Sequence, residues 1–194
     1  MNAALRFLLL VAASAAATGS ARAAPQTYQL DPTHSFVTWE VLHFGTSTIR
    51  GRLGPLNGQV TVDREARQGR VQTVIELAQQ STGLPVLDAR LKEADMLDLQ
   101  AHPQAFFVAE RFEFDAQGQV SAVRGEFTLR GQGQPLTLTA QRFRCYTSPL
   151  FRREVCGGDF EGEFKRSAYG ITHSLPFVAD AVRLKLQVEA IVQP

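Results

Sequence analysis

The amino-acid sequence predicts an all-β fold, a single antiparallel barrel of about eight strands with one inserted α-helix, behind an N-terminal export leader. Three observations carry this. Apolar and polar side chains alternate with period two through most of the chain, as strands with one wet face require. Turn-forming clusters of Gly, Pro, Asn and Asp separate those runs at short intervals. One segment switches to steps of three and four, the spacing of an amphipathic helix.

The chain has 194 residues and opens with Arg6, an apolar run from Phe7 to Ala17, and the small-x-small pattern Ala21-Arg22-Ala23. This is the form of a secretory signal peptide cleaved after Ala23, and the run is too short to span a bilayer, which takes roughly 20 residues. Residues 1–23 are therefore the leader and 24–194 one mature domain. The mature chain keeps 18 basic against 19 acidic residues. That balance excludes an electrostatic reason to bind nucleic acid or an anionic membrane, and no later segment reaches membrane-spanning length, so no stable membrane insertion is expected.

The strands follow in order. Val37-Thr38-Trp39-Glu40-Val41 alternates first, then Val60 and Val62 against Gln59, Thr61 and Asp63. Val71, Thr73, Ile75 and Leu77 share one face, as do Val123, Gly125, Phe127 and Leu129. The last run sets Val182, Leu184, Leu186, Val188 and Ala190 against Arg183, Lys185, Gln187 and Glu189. Turns are expected at Gly54 to Gly58, Asp63 to Gly69, Asp115 to Gly118 and Gly131 to Pro135. Between strands, Leu84, Leu87, Leu91, Ala94 and Leu97 predict the helix, which ends before His102-Pro103. A sandwich is the alternative arrangement, since alternation does not report closure. An outer-membrane barrel is disfavoured by exterior charges such as Arg183, Lys185 and Glu189.

Two runs conflict with strict alternation. After Pro103, period two groups Phe106, Val108, Phe112 and Phe114, leaving Phe107 on the other face; Phe106 and Phe107 both stay candidates for the interior. Leu136 and Leu138 take one parity, Phe143 and Cys145 the other. A β-bulge in each strand would reconcile them, the second near Ala140 to Arg142. Cys145 and Cys156, with ten residues between them, are expected to form a structural disulfide in an oxidising compartment; they have neither C-x-x-C spacing nor a nearby His pair.

Tyr28-Gln29-Leu30-Asp31-Pro32-Thr33-His34-Ser35, followed by Val37-x-Trp39-x-Val41-x-His43-x-Gly45 and Gly51, resembles the N-terminal signature of the YceI-like, polyisoprenoid-binding proteins. Leu91-x-x-Ala94-Asp95-Met96-Leu97-Asp98 with Pro103 and Phe107 resembles that family's helix and next strand. Cys156 to Phe160 and Lys165 to Ile171 resemble its late strand and R-S-x-x-G turn. The resemblance spans nearly the whole mature chain, with Met96-Leu97 in place of a usual Phe pair and Trp39 in place of a usual Phe. It implies a lipocalin-like barrel, periplasmic, enclosing an isoprenoid or similar amphiphile.

The composition, with thirteen phenylalanines against three tyrosines and one tryptophan, is biased toward interior aromatics. Val37, Trp39, Val41 and His43 on the first strand, Phe106 or Phe107, Phe127, Leu129, Phe160 and Phe164 are the candidate ligand-lining residues. Gly125, Gly158 and Gly162 among the aromatics suggest a channel; the alternative is that the rings pack one another. Arg166 shares the inward parity of Phe160 and Phe164 at a strand end. There it would meet a ligand's polar head through paired hydrogen bonds, or form a rim salt bridge. Asp31, His34 and Ser35 contain the ingredients of a hydrolase triad, but neighbours on a strand diverge and no nucleophile elbow supports Ser35. They are expected to brace the turn instead. His34, His43, His102 and His173 show no metal-ligand spacing. The expectation is a periplasmic lipid carrier with no catalysis and no cofactor, the alternative being a filled interaction barrel; a homodimer stays open.

Overall fold

The computed structural model describes residues 24–194; the expected leader, residues 1–23, lies outside them. The described chain runs β1 (Gln26–Leu30), β2 (Phe36–His43), β3 (Ser47–Leu53), β4 (Leu56–Asp63), β5 (Gln68–Glu76), α1 (Pro85–Leu91), β6 (Gln104–Phe114), β7 (Val120–Leu129), β8 (Gln132–Thr147), β9 (Glu154–Lys165), a 3₁₀ turn (Arg166–Tyr169) and β10 (Val178–Val192). Eight strands close a barrel in the order β1-β4-β5-β6-β7-β8-β9-β10, with β10 returning to β1, and every pairing is antiparallel. Closure removes the exposed edges that a sandwich of these strands would leave.

The remaining hairpin, β2–β3, exists because β10 is long enough to pair twice along one edge. Leu30 lies opposite Ala190, whereas β2 takes over from Gln187, opposite Phe36, to Val178. At the switch, the Glu189 carbonyl keeps the Asp31 amide as a donor (2.9 Å), while its own amide needs another acceptor. Ser35, fully buried, serves both groups: its hydroxyl accepts from the Glu189 amide (3.1 Å) and donates to the Glu189 carbonyl (3.0 Å). A buried peptide group without such a partner would cost about 1–3 kcal/mol.

Both irregular strands contain a bulge. The β6–β7 register slips between Ala109 and Arg111, and the β8–β9 register between Ala140 and Arg142, so Glu110 and Gln141 are the extra residues. Phe107 and Ala109 therefore face inward ahead of the first bulge, and Phe112 and Phe114 pack inward after it. Phe106, expected as an interior candidate, is on the outer face at 38% exposure. The glycines serve these close approaches. A Cβ on Gly125 would lie 2.3 Å from the Val108 carbonyl, and one on Gly158 2.1 Å from that of Arg142. They admit neighbouring backbone at the bulges and open no channel.

The helix is shorter than the 84–97 periodicity suggests. It stops at Leu91, with Leu84 and Val86 exposed and Leu91 buried. The amides of Leu97 and Asp98 then reach back to the Leu91 and Glu93 carbonyls in wider turns (3.0 and 2.9 Å), Arg90 forks onto Asp95, and Arg130 donates to the Met96 carbonyl. These contacts outcompete the helical ladder and lower Met96, Leu97 and Leu99 onto the core.

Candidate functional site

Strand direction gives the barrel two different ends. The turns after β4, β6 and β8 lie at one, and the α1 segment, the β2–β3 turn and residues 166–177 at the other. The second end is filled. Phe127, Phe164 and Tyr169 form an aromatic triangle with centroids 5.1 to 5.6 Å apart, and Tyr169 is only 1% exposed. Aromatic rings in this arrangement gain about 0.5–1.5 kcal/mol per pair beyond their burial. For Phe127 and Phe164 the outcome is thus a packed floor.

Above that floor is an apolar chamber. Its walls come from Val60 and Val62, Val71 and Ile75, Phe107, Phe112 and Phe114, Val123, Leu138, Phe143, Phe160, Leu186 and Val188. Gly118 and Gln119 on the β6–β7 turn and Arg64 on the β4–β5 turn border its mouth. The enclosed space open to a water-sized body is about 130 Å³, close to the roughly 150 Å³ of an apolar cavity that takes up benzene.

The mouth holds a polar cluster. Arg64 reaches Glu154 through Nη2 (2.8 Å) and Nη1 (3.3 Å), and Nη2 also donates to the Tyr28 hydroxyl at 3.1 Å. Tyr28 in turn donates to the same carboxylate at 2.5 Å. Burial alone would push the Glu154 carboxyl up, but the hydrogen bonds from Tyr28 and Arg64 and the guanidinium charge outweigh it and hold it below the ordinary value. Burial, followed by its bond to Glu154, moves the Tyr28 phenol the other way, well above the ordinary tyrosine value. The cluster is an ionised Arg–Glu pair with a neutral phenol.

Cys145 and Cys156 face each other across β8 and β9 and are joined by the expected disulfide. Cys156 lines the chamber, and both sulfurs lie 3.1 to 3.2 Å from Arg64 Nη2. Glu154 is close enough to form a three-ligand set with them, but sulfurs bonded to each other offer no thiolate to a cation.

Of the residues singled out from the sequence, Phe107 and Phe160 border this chamber. Val37, Val41 and Leu129 are buried in the core elsewhere. Trp39 lies over Gly51 on the neighbouring strand, where a Cβ would come 2.4 Å from the indole. His43 stands at the β2–β3 turn, edge-on to Phe44 at 4.7 Å.

Arg166 does not open onto a mouth. It is 6% exposed and donates to four main-chain carbonyls: Ala179 (2.9 Å), Ile171 (3.0 Å), His173 (2.8 Å) and Val178 (2.8 Å). Arg166 stands just beyond β9, in the 3₁₀ turn, which folds the guanidinium under the 171–179 segment. Asp31, His34 and Ser35 also form no triad. His34 bonds Asp31 (2.7 Å) in the first turn and is 55% exposed, while the Ser35 hydroxyl is engaged by Glu189.

Comparison with known proteins places this geometry. The family model described as the YceI-like domain matches residues 28–190. The chain belongs to the YceI-like family. A UPF0312 protein of Serratia proteamaculans is 29% identical over 174 residues, 89% of each chain. Among solved structures, Burkholderia cenocepacia BcnA superposes with a TM-score of 0.65 at 21% identity, covering 82% of this chain and 98% of that one. A polyisoprenoid binding domain from Saccharophagus degradans, implicated in plant cell wall breakdown, gives 0.62 at 16% identity, covering 86% and 98%. At these identities the structural likeness speaks for the fold.

The YceI-like chamber residues that sequence reading passed over fall into two groups. Val60, Val62, Val71 and Ile75 already showed inward parity, so periodicity contained them. Tyr28, in the middle of β1, shares inward parity with Leu30 in a strand of only five residues, whereas Arg64 sits on a turn, where no periodicity operates.

Proposed function

We propose that this YceI-like protein is an exported carrier that holds the hydrocarbon chain of a polyisoprenoid-class lipid in its barrel, with the polar end at the Arg64 mouth, and performs no covalent chemistry on it. The carrying observation is the chamber: walled by aliphatic and aromatic side chains, blind at the aromatic floor and bordered by one polar cluster at the opening. Each buried square ångström of hydrocarbon contributes roughly 25 cal/mol to such a complex. Support for the ligand class comes from the Saccharophagus degradans relative, a polyisoprenoid binding domain.

The enclosed volume suits about one ring or isoprene-sized group. A longer chain therefore extends through the mouth or displaces wall side chains such as Phe112 and Phe143. The reading needs no cofactor. Export to the periplasm rests on the leader, and N-terminal sequencing of the secreted protein is expected to begin at Ala24.

Organic extraction of the purified protein followed by mass spectrometry tests the carrier reading. Stoichiometric isoprenoid lipid is the expected result. Absence of lipid, together with no uptake of added geranylgeraniol, would overturn it and favour a filled interaction barrel.

A further inference from the structure

We infer that the Arg64 mouth selects an amphiphile whose polar end is uncharged, an alcohol or a carbonyl-bearing ring, and discriminates against a diphosphate on the same hydrocarbon. The inference rests on the carrier reading and adds the class of head group to it.

Arg64 is the one charged residue bordering the chamber among the described residues. Standing alone, a guanidinium at an apolar mouth would recruit a diphosphate through paired charge-assisted hydrogen bonds. It does not stand alone. Glu154 accepts from both of its terminal nitrogens, and the Tyr28 hydroxyl is shared between the two. The disulfide sulfurs press against Nη2, holding the guanidinium to the wall. Its charge is already compensated where a head group would arrive.

The surrounding rim adds no cationic excess. The turns at this end together with the strand residues that flank them carry Arg64, Arg67, Arg152 and Arg153 against Asp63, Glu65, Asp115 and Glu154. A diphosphate reaching Arg64 would have to lie beside the Glu154 carboxylate or expel it. The first brings like charges together in a partly desolvated site, and the second breaks the Arg64–Glu154 pair and leaves the Tyr28 hydroxyl only Gln26 Oε1, at 2.8 Å, as acceptor. A hydroxyl or carbonyl oxygen needs only one donor, which the guanidinium or the Gln119 amide at the same rim can give.

Equilibrium dialysis of delipidated protein against tritiated geranylgeraniol and geranylgeranyl diphosphate tests this. Glu154→Gln removes the counter-charge at constant size. It is expected to raise the ratio of diphosphate to alcohol affinity at least about tenfold. A second measurement needs no variant: diphosphate binding to the wild type should stay nearly flat between about 50 and 500 mM salt, because no net cation faces it. An alcohol-binding protein whose diphosphate affinity falls about tenfold over that range, or whose Glu154→Gln variant gains nothing for diphosphate relative to alcohol, would overturn the head-group inference alone. Wild type that binds neither probe would overturn the carrier reading and the inference together.

Discussion

Replacing Arg166 by Met separates a structural role for this residue from a ligand role. The side chain keeps length and apolar stem but loses donors to four carbonyls on the 171–179 segment. A hydrogen bond from a charged donor is worth about 1.5–3 kcal/mol. Carbonyls near the rim recover part of this from water, whereas the Ile171 bond is fully buried. The expected loss is therefore about 3–5 kcal/mol, the range seen when a buried charged network is broken. Burial already pushes the Arg166 pKa down, Asp180 opposing it in part, yet a guanidinium stays charged in a protein. For a domain of this size the loss lowers Tm by about 6–20 °C, measured by circular dichroism and urea titration. Arg166→Lys should recover less than half, because a point charge cannot span four acceptors. Isoprenoid uptake by the folded fraction should be unchanged. A variant that melts within about 2 °C of wild type but no longer takes up lipid would refute the structural assignment.

Three further outcomes follow from the same structure. Reducing the Cys145–Cys156 bond, or replacing both residues by Ser, should cost about 2–3 kcal/mol for so short a loop, read as a shift in urea midpoint with and without reductant. Phe127→Ala removes one side of the aromatic floor; it should cost about 3–5 kcal/mol and lengthen the isoprenoid chains that copurify, as mass spectrometry would show. The His34 pKa is raised, its hydrogen bond to Asp31 being the largest cause. Its contribution to stability is therefore complete below the ordinary value of 6.5 and disappears as pH rises through the higher folded value. His34→Ala should flatten a small decline in stability above pH 6.5, while in that window Asp31, whose pKa is lowered, stays ionised in both states. A decline that survives the substitution would show that another group carries it.

Legibility differed between elements for identifiable reasons. β10 could be read directly, since Val182, Leu184 and Ala190 are buried on one parity and Arg183, Lys185, Gln187 and Glu189 take the other. A bulge changes parity by one residue, so the sequence required one in β6 and one in β8 without saying where each would fall in β6. The α1 segment misled because turns that repeatedly reverse on a core can space leucines as a helix does. Arg166 misled because parity reports which face a strand residue takes and ceases at the 3₁₀ turn.

The sequence by itself determined an alternating all-β chain, its disulfide partners and its family, because these follow from local periodicity, spacing and motif order. Only the tertiary structure decided that eight strands close while a hairpin branches off β10, that the Phe127–Phe164–Tyr169 end is solid and that the chamber opens at Arg64. Those outcomes depend on contacts between distant residues. Tyr28, Arg64 and Glu154 converge through pairing of strands far apart in the chain, and no local pattern encodes which end of a barrel its side chains fill.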